Sequence, residues 1–162
     1  MSKQVRMDVV LPQPPERVWR ALTDSRALAQ WLMPNDFSPR LGQRFRFLRK
    51  RGREEKEASA IQCEVVELEA PHRLAYTWRE NPEAAPDLVT WALEPVEAGT
   101  RLRLEHTRLT DLQACASGSG QEAQPAALPR SLLTRLARFL VRKHRIRGNI
   151  NSGGILIVCH DR

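Results

Sequence analysis

The sequence predicts an α+β fold in which a curved, antiparallel six-stranded sheet wraps a long C-terminal helix, with two short helices after the first strand. Three observations carry this expectation. From Arg44 to His106 the chain is a succession of period-two segments separated by short turns, the pattern of sequential antiparallel strands with one wet and one buried face. From Pro129 to about Arg147 the apolar residues instead recur at three- and four-residue spacing, as on one face of a helix. Between Pro15 and Trp31 two brief helical patterns follow each other, and neither is long enough to persist alone in water. Both must lie on a larger apolar body.

In order, Gln4 to Leu11 alternates weakly and reads as a first strand, with Val5, Met7 and Val9 on one side and Pro12 ending it. Pro14 and Pro15 preset the first turn of a helix whose Val18, Ala21 and Leu22 share a face. Asp24 or Ser25 can cap a second helix carrying Leu28, Trp31 and Leu32, which Pro34 and Asn35 end. Pro39 to Gly42 turns the chain into Arg44–Arg49, with Phe45 and Phe47 on one face and arginines on the other. Lys50 to Glu57 reads as a charged hairpin tip. Ala58–Glu69, Leu74–Trp78, Leu88–Pro95 and Leu102–His106 supply four further strands, the last two joined by a turn over Glu97–Thr100. Thr110 to Leu128 has the Ser, Gly, Gln and Ala content of a loop. In the final helix Leu132, Leu133, Leu136, Ala137, Phe139 and Leu140 form a broad apolar arc opposite Arg135, Arg138, Arg142 and Arg145.

A chain of 162 residues with 41% hydrophobic and 28% charged residues suits one soluble domain, expected over 4–147, followed by a tail over 148–162. The tail contains the apolar run Ile155–Cys159 and could be an added edge strand, a dimer contact or a segment without structural role. Lys, Arg, Asp and Glu balance at 18 against 18 through residue 127, whereas residues 128–162 hold 8 basic and 1 acidic, so the whole +7 resides in the last segment. That distribution argues against a nucleic-acid-binding surface. Cys63, Cys115 and Cys159 are odd in number and widely spaced, which disfavours a disulfide framework or a metal site. No apolar run approaches the roughly 20 residues of a membrane span, and Met1–Leu11 is too short and polar for a signal peptide. Membrane attachment is not expected, and the cytoplasm is the expected compartment.

Four stretches in the same order carry a family resemblance: Pro15-x-x-Val18-Trp19-x-Ala21-Leu22-Thr23 with Leu28 and Trp31; Pro39-x-x-Gly42-x-x-Phe45; Glu67 through Trp78; and Val89–Leu93 continuing through Gly99–His106. The chain resembles the START-like (SRPBCC, Bet v 1-like, polyketide cyclase-like) superfamily with the helix-grip fold. Within it, the chain is similar to bacterial proteins related to the C-terminal domain of the activator of the heat-shock-protein-90 ATPase. Two departures stand out. The Gly-Trp pair that usually opens the family's C-terminal helix is missing from Ala126–Leu136, and residues 148–162 follow where the family tends to stop. The resemblance implies an internal cavity for a hydrophobic ligand, and such pockets span roughly 300–1,000 Å³.

If the sheet grips the final helix, Phe45, Phe47, Tyr76, Trp78, Trp91, Leu104 and His106 point inward, Leu136 and Leu140 face them from the helix, and Trp31 and Phe37 lie beneath the entrance. The same side chains would serve equally as a solid core. His106 is the conspicuous polar member, able to orient a ligand or donate a proton, or simply to be a satisfied core histidine. Tyr76 could add a hydroxyl. No Gly-x-Ser-x-Gly, His-Glu-x-x-His or phosphate-cradling loop occurs, so no catalytic residue and no cofactor or metal is assigned. The sequence therefore reads as a binding protein for a small hydrophobic or aromatic molecule. Its alternatives are a chaperone cofactor resembling the ATPase activators, or a cyclase- or hydrolase-type enzyme using the same cavity. Either a monomer or a homodimer fits.

Overall fold

The computed structural model describes residues 5–49, 60–108, 131–144 and 157–160. The elements are β1 (Val5–Leu11), α1 (Pro15–Thr23), α2 (Ser25–Trp31), β2 (Arg44–Leu48), β3 (Ala60–Glu69), β4 (Arg73–Trp78), β5 (Asp87–Val96), β6 (Gly99–Arg108), α3 (Ser131–His144) and β7 (Ile157–His160). The strands form one antiparallel sheet in the order β2-β3-β4-β5-β6-β1-β7. This is the expected helix-grip α+β architecture. The expected charged tip and the Thr110–Leu128 loop lie outside the described residues, as do residues 145–147 at the expected end of the last helix.

The six expected strands are present, and the tail adds a seventh. Residues 157–160 pair with the outer edge of β1, placing Arg6 opposite His160 and Val9 opposite Ile157. Of the three roles the sequence left open for the tail, these four residues take that of edge strand. The physical reason is the row of backbone N–H and C=O groups that β1 would otherwise present unpaired.

Period-two alternation decides which side chains face inward. Phe45 and Phe47, Tyr76 and Trp78, Val89 and Trp91, and Leu102, Leu104 and His106 are all buried on one face. In β3, Ile61, Cys63 and Val65 are buried and Val66 is exposed, as alternation requires; a register shift between Val65 and Glu67 then sets Glu67 opposite Ala75, so that Val66 and Glu67 both lie on the outer side. Ala75 and Thr90 depart from it differently, being buried although they face away from the rings. They stand side by side on one rung, Glu67–Ala75–Thr90–Glu105, where two short side chains lie between two longer charged ones.

The two short helices are held as the sequence anticipates, by burial and caps rather than by length. Pro15 opens α1, whose Val18, Ala21 and Leu22 are buried. Of the two candidate caps for α2, Asp24 is the one used: its Oδ1 accepts from the backbone N–H of Arg26 at 2.8 Å and of Ala27 at 3.2 Å. Ser25 Oγ donates to the Asn35 carbonyl, and Asn35 Nδ2 donates to the Ser25 carbonyl, so the segment after α2 is tied to its start. On α3, Leu132, Leu133, Leu136, Ala137 and Leu140 are buried while Arg135 and Arg138 are exposed. That face packs against α1, α2 and β1 and closes the core over the sheet.

Candidate functional site

Every sequence-predicted site residue is buried in one core: Trp31, Phe37, Phe45 and Phe47; Tyr76, Trp78, Trp91 and Leu104; His106, Leu136 and Leu140. The aromatic members touch in a chain. Phe37 stands edge-on to Phe45 with ring centroids 4.9 Å apart, and Phe45 meets both Phe47 and Tyr76 at 5.4 Å. Phe47 leans on Trp78 at 5.5 Å, and Trp78 meets the His106 ring at 6.4 Å. Trp31 meets Trp91 edge-on at 6.0 Å. Such edge contacts add to area burial and fix ring orientation.

The polar atoms within this core are few. Trp31 Nε1 donates to the Ala21 carbonyl at 2.9 Å, and Trp78 Nε1 donates to Glu80 Oε1 at 3.1 Å. Trp91 Nε1 donates to the Tyr76 hydroxyl oxygen at 3.0 Å. His106 Nε2 lies 2.9 Å from Asp87 Oδ2, and Asp87 is approached on its other oxygen by Arg108 Nε at 3.8 Å. A carboxylate can only accept, so Nε2 carries the proton shared with Asp87. His106 Nδ1 is buried and has no hydrogen-bond partner among the described residues.

Sequence reasoning singled out His106 but missed Asp87. The signal was available in the hairpin. With Val96 opposite Gly99, strict antiparallel counting puts Val89 opposite His106 and Asp87 opposite Arg108, and a residue two places from a direct partner is its diagonal neighbour.

Burial also sets the chemistry of two acids. It pushes the Cys63 thiol well above its ordinary value of 9.0, with the nearby charge of Asp36 adding to the effect. It pushes the Tyr76 phenol above its ordinary 10.0, against the stabilising Trp91 N–H, with Cys63 adding a smaller upward contribution. Both groups hold their protons in the folded state at a pH where the unfolded chain has lost them. The folded form thus binds more protons above pH 9, and its stability must fall as pH rises there. Urea titrations are expected to give a flat stability contribution from these two groups below about pH 8 and a decline above pH 9. The part of that decline beyond pH 10 should shrink in Tyr76→Phe; an unchanged slope in that variant would contradict the assignment.

Grooves open to solvent among the described residues in at least two places. One, of ≈ 430 Å³, runs along β2 to β4 and is lined by Arg44, Arg46, Gln62, Glu64, Thr77 and Arg79, with Phe45 at its wall. The other, of ≈ 520 Å³, lies where α1 and α2 meet α3, lined by Pro14, Arg20, Ala21, Ala27, Phe139 and Leu140. Through the Ala21 carbonyl that holds Trp31, this second groove connects by contact to Trp91 and so to Tyr76.

Residues 12–140 match the model of a family described as activator of Hsp90 ATPase homolog 1-like protein. The chain belongs to that family. Among solved structures it is similar to protein MLL2253 from Mesorhizobium loti, at 30% identity over 86% of this chain and 98% of that one, with a TM-score of 0.64. It is also similar in fold to CalU16 from Micromonospora echinospora, at 18% identity, 90% and 80% coverage and a TM-score of 0.60. A third structure, DynU16 of the dynemicin biosynthetic locus, matches at 23% identity over 86% of this chain and 48% of that one, with a TM-score of 0.63. No match was found among curated proteins. The chain has the START-like fold its sequence resembles, and the matched stretch includes all eleven candidate residues. Strand β7 falls outside it. No described helix is long and apolar enough to cross a membrane.

Proposed function

We propose that this protein binds a small hydrophobic or aromatic molecule between the sheet and the C-terminal helix, with access from the groove where α1 and α2 meet α3. The observation that carries this reading is His106. Its Nδ1 is buried beside Trp78 without a partner among the described residues, while its other nitrogen is held by Asp87. Native interiors leave few such atoms unpaired, since each costs about 1–3 kcal/mol. Among the described residues two buried side-chain atoms lack a partner, Gln13 Oε1 and His106 Nδ1; of these, His106 Nδ1 lies against the aromatic chain through Trp78, and an apolar interior with such an acceptor suits a ligand that is mostly hydrocarbon with one polar end.

The reading predicts stabilisation by mass action. A ligand at about one hundred times its Kd adds about 2.7 kcal/mol, or roughly 5–10 °C in Tm for a chain of this size. Thermal unfolding across a lipid, polyketide and aromatic library is the test. If no compound shifts Tm, the binding reading is wrong.

The family description favours one second reading, a cofactor that stimulates a chaperone ATPase. ATP hydrolysis by a bacterial Hsp90, measured with and without this chain, decides it, and an unchanged rate rules it out. For either reading the proposed setting is the cytoplasm, in keeping with the buried free thiol of Cys63.

A further inference from the structure

The register of the sheet places two polar groups of the interior, Tyr76 and His106, on a single rung. Tyr76 pairs with Val89, and Val89 pairs with His106, so one cross-strand row reads Val65–Tyr76–Val89–His106–Val5. With adjacent strands about 4.8 Å apart, the backbones of Tyr76 and His106 are about 10 Å apart, with only a valine between them. Both side chains face inward and both are at least nine-tenths buried.

Each has hydrogen-bonding capacity left over, and the two remainders are opposite in sense. The Tyr76 oxygen accepts from Trp91, which leaves the phenolic O–H with no acceptor among the described residues. Burial keeps that phenol protonated, so it remains a donor. On His106 the Nε2 proton is committed to Asp87, so in the neutral ring Nδ1 presents a lone pair that no described residue donates to. One wall of the interior therefore offers a donor, a small apolar spacer and an acceptor in a row.

We propose that the Tyr76–Val89–His106 rung is a polar anchor that selects ligands bearing a neutral head group with both an acceptor and a donor, such as a carboxamide or a hydroxy ketone. The ligand's carbonyl accepts from the Tyr76 hydroxyl, and its N–H or O–H donates to His106 Nδ1. A carboxylate is disfavoured, because its oxygens offer only lone pairs to Nδ1 and bring a second negative charge toward Asp87. A plain hydrocarbon fits the apolar surroundings and leaves both polar atoms unanswered. This specificity rests on the binding reading above and adds the chemical class of the ligand.

The test uses three probes of one shape: 2-naphthamide, naphthalene and 2-naphthoate, titrated calorimetrically into the full chain. The amide is expected to bind at least tenfold more tightly than naphthalene, and naphthoate more weakly than the amide. Tyr76→Phe should reduce amide affinity about tenfold and leave naphthalene affinity unchanged. In the unaltered protein, ¹⁵N spectra should show His106 as the Nε2–H tautomer, with Nδ1 shifting on addition of 2-naphthamide and not of naphthalene. This second measurement does not depend on a variant folding. Naphthalene binding as tightly as the amide, naphthoate binding most tightly, or a silent Nδ1 resonance in the amide complex would each overturn the anchor while the hydrophobic binding reading stands. Binding of none of the three overturns the anchor, and the library scan by thermal unfolding then decides the hydrophobic binding reading separately.

Discussion

Replacing Gly99 by alanine is expected to cost about 3 kcal/mol or more, and to lower Tm by roughly 6–12 °C. Gly99 opens β6 with φ 133°, a backbone region that other residues avoid. An added Cβ would also collide with the Leu11 carbonyl oxygen and sit 2.8 Å and 2.9 Å from the Cα and carbonyl carbon of Pro12. These are main-chain atoms at the end of β1, where Leu11 pairs with Thr100, so relief requires moving two paired strands apart. Gly42 is the internal control. It also has a positive φ, 75°, but a Cβ there meets nothing within 4 Å. Gly42→Ala should cost only the left-handed backbone penalty of about 1–2 kcal/mol. Urea titration of both variants checks the pair, and equal costs would mean that the β5–β6 turn does not approach β1 as described.

Trp91→Ala is expected to destabilise the fold by about 3–5 kcal/mol, the usual range for deleting a fully buried large aromatic ring. Trp91 is 1% exposed, meets Trp31 edge-on, and supplies the N–H that satisfies the buried Tyr76 oxygen. Removing it opens a cavity and strips a buried polar atom of its partner in one step. Trp91→Phe separates the two effects: most of the ring volume remains, the N–H does not, and the expected cost is about 1–2 kcal/mol. Equilibrium unfolding followed by far-UV circular dichroism measures both. A loss below about 1 kcal/mol for Trp91→Ala would show that the indole is not at the centre of the core.

The candidate site was legible to the extent that alternation is legible. Phe45, Phe47, Tyr76, Trp78, Trp91, Leu104 and His106 fall on one face because a strand has a period of two, and the structure buries all of them. The helical arc from Leu132 to Leu140 was equally plain. What could not be read was which inward residue stands beside which. Asp87 falls between the strands expected at Leu74–Trp78 and Leu88–Pro95, and only counting along the β5–β6 hairpin, not alternation, sets it beside His106. The pairing of Tyr76 with Val89 crosses the irregular segment 79–86, whose geometry no local pattern specifies. The tail gave only an apolar run, and its partner is the first strand of the chain.

By itself, then, the sequence determined the kinds of element, their order and the face that each one buries, because period, caps and turn residues are local properties written in neighbouring positions. The tertiary structure decided the rest: the Tyr76–Val89–His106 rung, the Trp91 bond to Tyr76, the approach of Gly99 to Leu11, and β7 on β1. Each depends on strand register or on the meeting of distant segments. Those are set by the packing of the whole core, in which a slip of one residue would turn an entire strand's side chains to the other face.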